Sequence, residues 1–371
     1  MKLQVLQENL STALATASRF TSTRAQLPVL GNILLSGKKN KLLVSATNLE
    51  TSISISVGAQ IEKEGEITIP SRVITDIISN LPVGSVNLSV NKEQIKIEAQ
   101  NFKSTISGMN SADFPSIPQV AGKDSIALEK ESFLKALSQV SFAASIDETR
   151  PILTGILFIY KKGELILVGT DGFRLSQKRI PMKGIQKAQN IILPKNVLNE
   201  LLRLSTDEDE VKFSFKKADN QVVFGIGNTV LSSRILEGEF PDFEKIIPKS
   251  SKIKVRMDKE EFLRAVKLAA VFARESANVV KFNVKSDSVE LSAESQVSGS
   301  QETKVDAKVT GLTGKKGFEI AFNYRFLEDF LGAVKEDEIQ VELSATNAPG
   351  VFTDPKDKDY LHLIMPVKIQ S

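Results

Sequence analysis

A single histidine, His362, carries whatever imidazole chemistry this chain can perform, so any Ser-His-Asp arrangement has to pass through it. It stands in an apolar stretch near the C-terminus, where a lone strand histidine is more often a surface or edge residue than a base. Gly311-Leu312-Thr313-Gly314-Lys315-Lys316 hints at a phosphate loop. The glycine spacing is wrong, however, and no Ser or Thr follows the lysine, so a hairpin turn accounts for it better. Gly225-Ile226-Gly227 lacks a third glycine and opens no helix. Asp207-Glu208-Asp209-Glu210 has the charge for a loose cation site but lies between a helix and a strand, the place of a solvated acidic turn. Asp354, Asp357 and Asp359 lack the glycine and the terminal glutamate of a calcium loop. There are no cysteines, which excludes disulfides, thiolate metal sites and cysteine nucleophiles. The expectation is a protein with no catalytic site, no metal and no cofactor.

What the chain does have is repetition. Val73, Ile74, Ile77 and Ile78 follow the strand-like ITIP ending at Pro70. Val197, Leu198, Leu201 and Leu202 follow IILP in the same phase, and Phe326, Leu327, Phe330 and Leu331 follow IAFN. An earlier helix also recurs: Leu10, Ala13, Leu14 and Ala17; Phe133, Ala136, Leu137 and Val140; Phe262, Ala265, Val266 and Ala269. The period is about 123 to 129 residues, the size of a domain. Each copy then has a period-two strand after its second helix, at Val86, Leu88 and Val90, at Val211, Phe213 and Phe215, and at Ile339, Val341 and Leu343. Asn91-Lys92-Glu93-Gln94 reads as a hairpin turn into Ile95 and Ile97. Paired strands follow the first helix of each copy, clearest from Leu42 to Val57 and most worn from Val279 to Val305. With βαβ alternation missing, the spacing predicts α+β: three tandem copies of one domain, each with two helices packed on antiparallel sheet.

ADFPSIP (Ala112 to Pro118) and GEFPDFEKIIP (Gly238 to Pro248) suit extended connectors, because proline fixes φ and cannot donate to a ladder. The domains are placed at 1–120, 125–248 and 252–371. With 371 residues and 41% apolar content, three modest cores are feasible. No run approaches a membrane span and no signal pattern opens the chain, so the cytoplasm is the expected location. Lys+Arg is 48 against Asp+Glu 45, so an anionic partner needs a local basic face.

LPVLGNILL (Leu27 to Leu35), GTDGFRLS (Gly169 to Ser176), GEFPDF (Gly238 to Phe243) and LIMPVKI (Leu363 to Ile369), in this order on a threefold repeat, resemble the bacterial DNA polymerase III beta subunit, the replicative sliding clamp. The likeness runs the whole length. It implies a head-to-tail homodimeric ring of six similar domains, with sheets outside and two helices per domain lining the hole. Such a ring encircles double-stranded DNA and tethers a polymerase by topology rather than chemistry. Sliding calls for weak, sequence-blind phosphate contacts. The helices offer Arg19, Lys130, Lys135, Lys195, Arg203, Lys259, Arg264, Lys267, Arg274 and Arg325. Arg24 matches a DNA-contacting family position, and Arg150 falls at a basic position near the hole. Two aromatics that follow in the family are here Pro151 and Ile152.

The resemblance implies two further sites. In the family, the replicative polymerase, the ATP-driven clamp loader and repair proteins insert a short Gln- and Leu/Phe-containing peptide between the second and third domains. Residue by residue, the matching positions in the second copy are Leu153, Thr170, Gly172, Phe173, Arg174, Leu175, Pro241 and Ile246. In the third copy they are Leu363, Met365, Pro366, Val367 and Lys368. Methionine suits such a pocket because its thioether repacks around different ligands. Phe173 stands for a frequent histidine and Lys368 for a frequent arginine. At the dimer seam, Val271 and Phe272 match an apolar pair and Ile106 its opposite number. The neighbouring aromatic position is here Ser104. Two other classes stand beside the clamp: a β-rich repeat scaffold that does not bind DNA, which has no reason to keep helix cations, and an enzyme with a site assembled between domains, which needs clustered polar groups.

Overall fold

The computed structural model describes residues 1–22, 27–122, 125–161, 163–182, 189–204, 208–216, 219–313 and 317–368. Arg24, Asp207 and Gly314 to Lys316 lie outside the described residues. The first copy runs β1 (Lys2–Leu6), α1 (Gln7–Ser18), β2 (Asn32–Lys38), β3 (Lys41–Thr47), β4 (Thr51–Lys63), β5 (Gly65–Pro70), α2 (Ser71–Ser79), β6 (Ser85–Asn91), β7 (Gln94–Ala99) and β8 (Phe102–Ser107). The second repeats that order as β9 (Ile126–Glu129), α3 (Lys130–Ser141), β10 (Gly155–Lys161), β11 (Glu164–Thr170), β12 (Arg174–Pro181), β13 (Gln189–Pro194), α4 (Lys195–Arg203), β14 (Glu210–Lys216), β15 (Gln221–Ile226) and β16 (Thr229–Arg234). The third is β17 (Ile253–Asp258), α5 (Lys259–Ala273), β18 (Val279–Val284), β19 (Ser288–Ser295), β20 (Gly299–Asp306), β21 (Lys308–Thr310), β22 (Phe318–Asn323), α6 (Tyr324–Ala333), β23 (Glu338–Leu343), β24 (Gly350–Asp354) and β25 (Asp357–Ile364). The fold is α+β, with three domains built on antiparallel sheet.

The helices form where the apolar period puts one face on the sheet. Leu10, Ala13, Leu14 and Ala17 are all buried, as are their counterparts in α3 and α5. The same loop secures all three N-termini. Gln7, Lys130 and Lys259 donate their backbone N–H to the carbonyls of Gly84, Asp209 and Asp337, at 2.8, 2.8 and 2.7 Å, which satisfies a donor every helix start leaves open. Asp258 also caps α5 through Glu261 N at 2.8 Å. The stripe on α2 is narrower than its sequence suggests. Ile74 and Ile78 are buried, but Val73 is exposed, because α2 packs chiefly against α1 and turns only one row of side chains inward.

The strands correct three expectations. The worn segment of the third copy is a full meander, with β19 paired to β18 and to β20 along their lengths. Gly311 opens no hairpin: β21 pairs with β17 and β22 with β18, so this chain segment crosses between sheets. The two proline-rich connectors are only partly extended, since each contains a 3-10 turn, at Ser111–Asp113 and Phe243–Ile246.

The chain divides into two compact units, Met1–Lys130 with Arg203–Ile235 and Glu131–Leu202 with Leu236–Ser371. Within the first unit, β4 of the first copy pairs with β16 of the second. Within the second unit, β12 of the second copy pairs with β25 of the third. These are equivalent junctions: the fourth strand of one copy takes the last strand of the next.

His362 lies on β25 inside the second of these junctions and is fully buried, contrary to the edge position expected from sequence. Pairing with β12 on one side and β24 on the other removes any edge. An aromatic chain from Phe262 through Phe282, Phe322, Phe352 and Phe330 ends against it, with Phe330 stacked on the imidazole at 5.5 Å. Its Nδ1 lies 2.6 Å from Ser176 Oγ, and its Nε2 has no partner among the described residues. Burial, with Arg174 nearby, pushes its pKa down to about 3. The unfolded chain then takes a proton below about pH 6.5 that the folded chain refuses, so the stability present above that pH is lost as pH falls. We expect about 1 kcal/mol of stability to disappear between pH 7 and 5.5, a window in which the lone histidine dominates. His362→Gln should flatten that slope in denaturant titrations, and an unchanged slope would contradict this burial.

Candidate partner pocket and nucleic-acid interface

All the predicted pocket residues fall within the second compact unit. The hydrogen bonds of β12 and β25 place Leu175 directly opposite Leu363, and Phe243 joins both in one apolar cluster with Val168 and Ile192. Leu175, Leu363 and Thr170 are buried, so they form the floor and frame of the site rather than its lining. Thr170 Oγ1 donates to Arg174 O at 2.6 Å and receives Gly172 N at 3.1 Å, shaping the turn where Gly172 adopts φ 92°. The exposed apolar groups are Phe173 (62%), Ile246 (44%) and Met365 (37%), each on a segment that this floor anchors. Met365 N donates to Phe173 O at 2.9 Å, which ties the C-terminal tail to the turn. Pro241 and Ile246 flank Phe243, the residue by which their segment is fastened. Leu153, Pro366 and Val367 are half-buried, and Lys368 is exposed.

Arg174 is not a free rim cation. Its guanidinium binds Asp171 at 3.1 Å, Asp329, and the carbonyl of Phe142 at 2.9 Å, and lies 4.5 Å from the ring centroid of Phe326. It is a fastener between β12, the end of α3 and α6, with its donors already engaged.

Sequence reasoning missed the other flank of the tail. A groove of about 670 Å³ is lined by Glu319, Ile320, Ala321, Thr346 and Asn347 together with Met365 to Lys368. Val367 N holds the tail there by donating to Ala321 O at 2.8 Å. The IAFN motif that supplies this wall signals, in sequence, only the strand leading into a helix.

The predicted DNA-contacting cations separate by environment. Arg264 and Lys267 are exposed on the outer face of α5, one turn apart. Arg203 is exposed at the end of α4. Arg150 is bound to Asp147 at 3.0 Å and to Asp171 O at 3.2 Å, so part of its charge is already answered. Lys195 is half-buried beside Ala144 O at 3.5 Å, and desolvation followed by the Arg174 charge holds its pKa below the usual lysine range. Lys135 pairs with Asp357 at 3.6 Å.

At the predicted seam, Val271 is 55% exposed on α5, next to the exposed Leu268, which the sequence alone does not single out. Phe272 is half-buried against the core of its own copy. Ile106 is 7% exposed, because it faces inward opposite Ile95 of β7, so its side chain offers little surface.

The whole chain has known relatives. Models of the DNA polymerase III beta subunit match in order: the N-terminal domain over residues 1–118, the central domain over 127–242 and the C-terminal domain over 244–368. A beta sliding clamp of Staphylococcus aureus is 32% identical over 380 residues, covering 99% of each chain. The crystal structure of a DNA polymerase sliding clamp from Bacillus subtilis superposes with a TM-score of 0.93 at 26% identity, covering all of both chains. A Pseudomonas aeruginosa sliding clamp bound to griselimycin gives 0.92 at 25%, again over both full lengths. The chain belongs to the DNA polymerase III beta subunit family, the bacterial beta sliding clamps.

The geometry separates two substitutions that sequence alone treats alike. Leu175→Ala should cost about 2–5 kcal/mol of stability by opening a cavity in the floor. Met365→Ala should leave the thermal midpoint within about two degrees yet weaken a labelled Gln-x-x-Leu-Phe peptide by roughly tenfold or more in anisotropy titrations. Equal midpoints for the two variants would contradict this division between floor and lining.

Proposed function

We propose that the chain works as a replicative processivity clamp. Two protomers, each of three domains near 1–120, 125–248 and 252–371, pair head to tail into a ring around duplex DNA in the cytoplasm. The ring holds the replicative polymerase, an ATP-driven clamp loader and repair proteins through peptides that dock on Phe173, Ile246 and Met365. No residue is assigned a catalytic role, and no cofactor is needed.

One observation carries this reading. Within the chain, β4 pairs with β16 and β12 pairs with β25. Applying the rule once more asks β20, the fourth strand of the third copy, to pair with the last strand of a first copy, β8. Among the described residues, β20 and β8 each end their sheet. A second chain supplies the partner for each, and two such junctions, one in each direction, close a pair of chains on itself. Val271, Phe272 and Leu268 on α5, which packs over β19 and β20, stand on the side where Ser104 and Ile106 would arrive.

The repeat also supports a single pocket per chain. At the first junction, the place of Leu175 and Leu363 is taken by Ser52 and Ser232, whose hydroxyls bond each other at 2.7 Å. A self-satisfied polar pair offers no apolar floor, so peptides have reason to choose the second junction.

Phosphate binding rests first on Arg264 and Lys267, Arg203 and Arg24 are further candidates, and Arg150 and Lys195 contribute less. Replacing Arg264 and Lys267 by alanine should reduce the slope of log K against log salt by roughly 0.9 for each phosphate left unneutralised. Ring topology is tested by loading on circular DNA, where the protein should persist until the circle is cut. Equal release from circular and linear DNA would overturn the clamp reading.

A further inference from the structure

The three copies align closely enough to fix the register of the missing junction. Thr47, Thr170 and Ser295 each receive the backbone N–H two residues on, from Leu49, Gly172 and Val297, all at 3.1 Å. Counting six residues into the strands that leave these turns equates Ile53, Ser176 and Gln301. The last strands align by their exits, where Met109, Leu236 and Val367 donate to the carbonyls of Thr68, Ile192 and Ala321 at 2.9, 2.8 and 2.8 Å. Counting five residues back equates Ser104, Leu231 and His362. Two of the three resulting pairs are observed, Ile53 opposite Leu231 and Ser176 opposite His362. The third is Gln301 opposite Ser104 of another protomer.

The chemistry of that pair differs from that of the two internal junctions. The first pair is aliphatic, and the second is a buried hydroxyl–imidazole hydrogen bond. Gln301 donates through Nε2 to Thr303 Oγ1, while its Oε1 is shut off from solvent with no hydrogen-bond partner among the described residues. An amide oxygen without a partner is costly, the two ends of the amide exchange places by a half-turn, and a hydroxyl, which both donates and accepts, serves whichever end the seam exposes. Resting on the ring assigned above, we propose that Ser104 of one protomer hydrogen-bonds the partner's Gln301, and that this polar pair makes the seam select a second copy of this chain over a clamp with an aromatic residue at that position. An aromatic there would press a bulky apolar group against the amide and leave it unpaired, a repulsive element as much as a missing bond.

The absence of native cysteine makes the register directly testable. The next position along pairs Lys103 with the partner's Glu302, and directly opposed strand residues lie within disulfide reach. Lys103→Cys with Glu302→Cys in one chain should give a covalent dimer on mild oxidation. Lys103→Cys with Lys304→Cys, two residues out of step, should not. By mass photometry over a dilution series, Ser104→Ala and Gln301→Ala should each raise the dimer dissociation constant about ten- to a hundredfold, because two seams break together. The double variant should be no worse than either single one. Ser104→Thr, which keeps the hydroxyl, should hold the dimer. Ser104→Phe should weaken it further, and Gln301→Ala added to Ser104→Phe should recover part of the loss. Unchanged association of Ser104→Ala, or penalties that simply add, would overturn the polar pair. A wild-type dimer that cross-links only out of step would overturn the register while sparing the ring. A wild-type chain that stays monomeric at micromolar concentration would remove the ring itself, and the pair with it.

Discussion

The antiparallel backbone ladder between the fourth strand of one copy and the last strand of the next is the interaction on which the other features depend. Backbone hydrogen bonding does not ask what side chains the strands carry, so the same junction forms at β4 with β16 and at β12 with β25 although almost no residue is shared between them. The ladder continues each sheet across a domain boundary and sets the turn at Thr170 beside the tail at Met365. The floor of the candidate pocket is a decoration of that repeated edge.

Side chains then give the two internal junctions different work. Ser52 and Ser232 close on each other, whereas Leu175 and Leu363 extend an apolar core to the surface and let Phe243 fasten the connector over it. Around that floor, Arg174 ties three elements together, which keeps the exposed Phe173 and Met365 on rigid supports. This arrangement sets adaptable side chains on a fixed frame.

Much of the fold is legible in the sequence, since it is written in periodicity. The buried rows of α1, α3 and α5 are the apolar residues at helical spacing, and the strands at Val86, Val211 and Ile339 alternate as read. What escapes depends on partners distant in sequence. His362 is buried because strands on both sides and Phe330 enclose it, and nothing in its immediate neighbours announces that. Lys195 and Arg150 look like free cations until Ala144, Asp147 and Asp171 are seen beside them. The pocket positions come from family resemblance, which locates the site without distinguishing floor from lining. The groove along Ile320 and Ala321 stays hidden because those residues fit a strand pattern equally well.

The way each first helix begins has a consequence for how such a chain can diverge. Gln7, Lys130 and Lys259 are anchored by main-chain carbonyls of Gly84, Asp209 and Asp337 rather than by capping side chains common to all copies. Anchors made of main chain survive almost any substitution that preserves the trace. Three copies of one structural unit can therefore differ in composition, one carrying an apolar floor and another an inert polar contact, while their geometry stays interchangeable. A chain built in this manner keeps its symmetry in the backbone and stores its individuality in the side chains, so the threefold plan is plain here although the copies share few residues.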